Sequence, residues 1–204
     1  MRRHAAVMLA IAMFCSVVML GAFPVAQAAP GPTVRGDRQA ATELEAVYKR
    51  FDEQRSWRSR MSFPGPPPGS MTSEFVAPNR MHIIMNIGGE VTDIFLIGDA
   101  MYIKGGRDCT KLPQKVNMPN PREHMQQDAS AVVEVARGGA EAVEGTPTQT
   151  YNLTVTAQGR TFRQKMYVAG TGLPRRLETF SAEGTVVIDY LEYGAGIVIN
   201  DPPC

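Results

Sequence analysis

The side chains able to do chemistry are few and scattered. After the first thirty residues the histidines are His82 and His124. His82 falls on the polar side of an alternating run, and His124 on the opening of a helical stretch. Neither has a cysteine or carboxylate at the spacing of a zinc site. Serine catalysis needs a base and a group that orients it, and no G-x-S-x-G occurs. Gly88-Gly89 and Gly105-Gly106 lack the strand–loop–helix setting of a phosphate cradle and read as turns. Glu74, Glu90, Asp93 and Asp99 are close in sequence, but Asp99 follows Gly98 in a hairpin, where a carboxylate bonds local backbone. Arg80, Arg175 and Arg176 could meet an anionic headgroup or a partner's carboxylate, against the default of a solvated rim. The expectation is a non-enzyme with no cofactor and no metal.

The other reactive side chains are cysteines, and the start of the chain sets their context. Residues 1–29 carry Arg2 and Arg3, a long apolar core and the small residues Ala26, Ala28 and Ala29. That is the layout of a cleaved signal peptide. A single transmembrane anchor is the alternative, since the run from Ala5 to Phe23 could just span a bilayer. Gly21, Pro24, Gln27 and the small-residue exit favour cleavage. Cys15 follows Phe14 where a lipobox wants a small residue, so no lipidation is expected. Cleavage leaves 175 of the 204 residues and moves the formal charge from +1 to −1. That length suits one domain, residues 30–204. The near-neutral charge argues against nucleic acid as a partner. The product would be periplasmic or secreted. It keeps Cys109 and Cys204, and an even pair in an oxidising compartment reads as a disulfide. Two unpaired thiols are the alternative.

The elements that would position these groups are mostly strands. From Ser70 to Lys104 short runs alternate with period two, broken by Pro78-Asn79, Gly88-Gly89 and Gly98-Asp99. Met71, Ser73 and Phe75 share one face of the first run. Met81, Ile83, Met85 and Ile87 alternate with Arg80, His82 and Asn86. Val91, Phe95 and Ile97 alternate with Thr92, Ile94 and Leu96. Hairpin-length connectors imply an antiparallel meander with one apolar face, which something must cover. Asp37 to Gln54 reads as an amphipathic helix through Ala41, Leu44, Val47, Tyr48 and Phe51, capped by Asp37 and preceded by a loose lead-in, Pro30–Gly36. Trp57–Phe63 reads as the first strand, and Pro64–Gly69 as a surface loop. A second helix is expected from Asn120 to Gly138-Gly139, with Met125, Ala129, Val132, Val133 and Ala136 as its stripe. Strands follow over Thr150–Thr156, Phe162–Val168, Arg175–Phe180, Thr185–Leu191 and Gly196–Asn200. The total is about ten strands and two helices, counted by alternation and caps.

Several of these runs resemble the outer-membrane lipoprotein carrier (LolA-like) superfamily and the related mycobacterial LppX-like carriers. They are SEFVAPNRMHII (Ser73–Ile84), DIFLIGDAMYIK (Asp93–Lys104), Gly138–Val155, KMYVAGTGLPRR (Lys165–Arg176) and Val186–Pro202. The resemblance implies a mainly β chain with two or three helices. Its sheet is a curved antiparallel half-barrel whose concave face the helices cover. The cavity so formed shelters lipid or lipoprotein acyl chains. Candidate lining residues are Met71, Phe75, Met81, Ile83, Met85, Phe95, Ile97, Met101 and Met166, since flexible thioethers suit an adaptable apolar surface. A filled core is the alternative use of the same residues. The resemblance also implies a second function, a regulatory module binding a membrane protein such as an anti-sigma factor. A monomer is expected.

Overall fold

The computed structural model describes residues 33–106, 108–113, 131–157, 159–182, 184–202 and 204. The expected signal peptide, His124 and most of the expected second helix lie outside these residues. In chain order the elements are β1 (Thr33–Gly36), α1 (Arg38–Asp52), β2 (Ser56–Phe63), β3 (Gly69–Val76), β4 (Arg80–Ile87), β5 (Glu90–Ile97) and β6 (Ala100–Gly105). Then come β7 (Asp108–Lys111), β8 (Val132–Val143), β9 (Thr146–Ala157), β10 (Arg160–Ala169), β11 (Pro174–Ser181) and β12 (Gly184–Tyr193). All twelve strands join one open, curved sheet in the order β1-β8-β9-β10-β11-β12-β2-β3-β4-β5-β6-β7. The pairing is antiparallel except for β1 beside β8.

That order explains what α1 must do. The chain leaves β1 at one edge and enters β2 six places further in. Six strand spacings amount to about 29 Å, and a helix of 15 residues reaches about 22 Å. The helix therefore crosses the strands rather than following one. Asp37 starts it, accepting from the backbone N–H of Gln39 at 2.9 Å and of Ala40 at 3.3 Å. Lys49 and Arg50 stand in the last turn, where cations complement the exposed carbonyls. Ala40, Leu44, Val47 and Phe51 recur every three or four residues and are buried. The first three pack on Val133, Val135, Tyr151, Leu153, Met166 and Val168 of β8–β10. Phe51 packs on Trp57 and Phe75 of β2 and β3, with Tyr190 and Tyr193 edge-on to its ring.

Five expectations are corrected. There is one helix among the described residues, not two or three. Residues 132–139, expected to close the second helix, belong to β8. Val132, Val133 and Val135 are β-branched and stiff in a helix, and Val133 and Val135 are buried with Glu134 exposed between them, which is period two. Thr33–Gly36 is a strand rather than a loose lead-in, so Trp57 lies in the second strand. Its parallel pairing with β8 is possible because a long stretch of chain separates the two. Asp108–Lys111, read as part of a polar connector, extends the sheet as β7. Gly196–Asn200 is not a strand. From Gly194 onward the chain is a tail, held where Ser56 Oγ donates to the Ala195 carbonyl at 2.8 Å and where Arg80 meets the Ile199 carbonyl at 2.6 Å.

Candidate ligand-binding site

Cross-strand register fixes which side chains share the face that carries α1, here called the inner face. One row runs Tyr151–Met166–Leu177–Ile188–Met61–Met71–Met85–Thr92 across eight strands. A second runs Trp57–Phe75–Met81–Leu96–Met101. A third, between them, runs Ser59–Ser73–Ile83–Ile94–Ile103. Directly opposed side chains in such rows are neighbours. Seven of the nine residues named from the sequence therefore lie on one face: Met71, Phe75, Met81, Ile83, Met85, Met101 and Met166. Met166 and Phe75 are buried in the core beneath α1. Met71, Ile83, Met85 and Met101 are only half-buried.

Phe95 and Ile97 do not belong with them. Phe95 pairs with His82 and Ile97 with Arg80, on the outer face, while Ile94 and Leu96 are buried on the inner one. Residues 94–97 are all apolar, so alternation cannot choose a phase there. The two-residue Gly88-Gly89 connection does choose it. It sets Ile87 opposite Glu90 and hence Ile83 opposite Ile94, because hairpin loop length fixes register.

A cavity of about 500 Å³ opens between α1 and the β8–β10 end of the sheet. Val47, Ala46, Val168, Ala169 and Pro147 give it apolar walls. Its polar groups are Glu43 and Arg50 from α1 with Arg137, Thr148, Gln149 and Tyr151 from the sheet. Tyr151 donates to Glu43 Oε2 at 2.7 Å, Gln39 donates to Oε1 at 2.9 Å, and Arg137 Nε lies 3.2 Å from Oε2. The Tyr151 bond, then the Gln39 bond, hold the Glu43 carboxyl below its usual range against the opposing effect of burial. None of these residues is among the candidates named from the sequence. The cavity lies where β8 changes register between Arg137 and Ala140. Gly138 permits that kink, since a Cβ there would collide with Thr150 Oγ1.

The outer face is a ladder of satisfied polar groups. Arg58 bridges Glu74 at 2.7 Å and Glu192 at 3.0 Å. His82 contacts Asp93 at 2.9 Å and Glu74 at 3.6 Å, stacked on Phe95. The two carboxylates that flank His82 are thus cross-strand neighbours that sequence spacing conceals. Among the described residues no group of three or more such side chains is placed to hold a metal ion. The arginines weighed as rim contacts are engaged within the chain. Arg80 meets Asp201, Arg176 meets Asp189, and Arg175 meets Glu144 and the Tyr190 carbonyl.

Five tyrosines around α1 and the adjoining strands resist ionisation. Burial comes first for each, pushing Tyr151 and Tyr190 up to about 12 and raising Tyr48, Tyr167 and Tyr193 as well. Groups held protonated by the fold contribute fully below their unfolded value near 10, and that contribution is lost as pH rises through the folded value. The expected result is cooperative alkaline unfolding between about pH 10 and 12, with phenolate absorbance and loss of circular dichroism rising together. Tyrosines that ionise near pH 10 with the folded signal intact would contradict it.

An open, curved and mostly antiparallel sheet, crossed by a helix on one face, is an LppX-like fold. Lipoprotein LppX of Mycobacterium tuberculosis superimposes with a TM-score of 0.63 at 12% identity, over 81% of this chain and all (100%) of its own. LprF of Mycobacterium bovis gives 0.59 at 15% identity, over 84% of this chain and 99% of its own. MucB, seen with MucA in a complex from Pseudomonas aeruginosa, is a more distant likeness at 0.49 and 15% identity, covering 78% of this chain and 59% of that one. No family model matches the sequence, and no curated protein matches it. Among the described residues no helix is long and apolar enough to cross a membrane.

Proposed function

We propose that this protein is an exported, non-catalytic carrier or binder of a lipid, acyl chain or lipoprotein, held against the inner face of the sheet. The observation that carries this reading is the cavity of about 500 Å³ under α1, within the range typical of small-molecule sites. The half-buried Met71, Ile83, Met85 and Met101 extend apolar surface along the same face. Thioethers repack around chains of differing shape at little cost. The signal-like leader and the Cys109–Cys204 bridge support a site of action outside the cytoplasm. The test is native mass spectrometry of gently purified protein. An adduct of lipid mass, removed by delipidation and restored by added fatty acid, is expected. An unliganded spectrum that fatty acid leaves unchanged overturns the reading.

A further inference from the structure

We infer that the occupant of the cavity is an amphiphile with an anionic carboxylate or phosphate headgroup, and that Arg50 is the residue that takes it. This rests on the carrier reading above and adds the class of ligand.

Arg50 is placed at the cavity wall by two devices. The last turn of α1 brings it there, and its Nη1 donates to the Thr171 carbonyl at 2.9 Å. Beneath it lies Gly172, at φ +77°. A Cβ on that residue would collide with the Arg50 guanidinium and stem. Glycine therefore serves twice, allowing a left-handed backbone and clearing the space in which the guanidinium rests on the β10–β11 turn.

The charge count at the cavity makes Arg50 the exception. Arg137 is offset by Glu43, and the Glu43 carboxylate is further engaged by Tyr151 and Gln39. Among the described residues Arg50 meets only a neutral carbonyl and no carboxylate. Glu43, Arg137 and Arg50 sum to one positive charge, and it resides on the guanidinium that has N–H donors to spare. Guanidinium presents those donors in a planar fork that matches carboxylate and phosphate oxygens in pairs. Val47, Val168 and Ala169 line the same cavity. An acyl chain lying on them would bring its head to Arg50.

The test is calorimetric titration of the mature protein with dodecanoate, dodecyl phosphate and neutral 1-dodecanoylglycerol, each below its micelle concentration. At least one anion is expected to bind about tenfold more tightly than the neutral lipid, within the range of a charge-assisted pair. The tighter of the two anions names the headgroup chemistry. Arg50→Gln should erase the preference for the anion over the neutral lipid. Arg50→Lys should keep part of it as a point charge without the fork. Equal binding of all three lipids, or a preference that survives Arg50→Gln, overturns the headgroup inference and leaves the carrier reading standing. Binding of none overturns both.

Discussion

Alanine in place of Leu44 lowers the free energy of unfolding by about 3 to 4 kcal/mol, in the middle of the range for buried leucines. Leu44 is 0% exposed and sits at the centre of the cluster formed with Val133, Val135, Tyr151, Leu153, Met166 and Val168. Truncation loses the transfer energy of the removed methyls and leaves a void, because strands locked on both sides in a sheet cannot close over it. The urea midpoint should fall with the slope unchanged, since the surface exposed on unfolding is the same. Val91→Ala is the control. That side chain is 49% exposed, and surface truncations of this kind stay within about 0.5 kcal/mol. The function is coupled to the same anchor. Val47, which packs in the Leu44 cluster, also lines the cavity, so a loosened α1 changes the shape of the site as well as its stability. A loss below about 1 kcal/mol at Leu44 would mean that α1 is not fastened to the sheet as described.

The readability of the chain depended on whether a local rule had one answer. The Asp37 cap and the stripe through Leu44, Val47 and Phe51 are satisfied within a few residues, and α1 is where they place it. The hairpins of β3–β6 carry their own turns, and their existence was legible too. The phase of β5 was not, because Ile94-Phe95-Leu96-Ile97 offers apolar residues to both faces. The length of the Gly88-Gly89 loop held that answer, in a different stretch from the one that posed the question. Val132–Gly139 failed for another reason. Spacings of three and four can be picked out of a valine-rich strand, and what decides the matter is the pairing with β9 and the packing of α1 on that face. β1 is four residues long and acquires its conformation from pairing with β8. The cavity was the least legible part. Its polar residues come from α1, β8 and β9, and only the crossing of the helix over the sheet assembles them. That Met71, Ile83, Met85 and Met101 share a face was legible because a single face of consecutive hairpins is a local property, but none of the nine residues named from the sequence lines the cavity.

Removing the Cys109–Cys204 bridge, by reduction or by Cys109→Ser with Cys204→Ser, should cost about 4 to 5 kcal/mol in the chain-entropy account. The bridge links positions 95 residues apart, and the stabilisation grows with the loop that the unfolded chain is forced to close. The enclosed stretch contains β8 to β12, the strands under α1, so the constraint acts on the part of the molecule that builds the cavity. Elsewhere the tail is held by the Ser56–Ala195 bond at its start and by the buried Ile199 side chain. Arg80 contacts the Ile199 carbonyl and Asp201, but Asp201 is 73% exposed at its side chain, and such surface pairs contribute about 0 to 1 kcal/mol. At the other end β7 is a four-residue strand that, among the described residues, pairs with β6 alone. Cutting the link therefore frees both partners at once. Chemical unfolding of oxidised and reduced protein measures the first effect, and amide exchange across β6 and β7 the second. Both should move, with the exchange of Ile103 accelerating even under conditions where the rest of the sheet stays protected. A stability change below about 1 kcal/mol, with β7 exchange unaltered, would mean that the tail is held by its own packing and that the bridge is incidental to the fold.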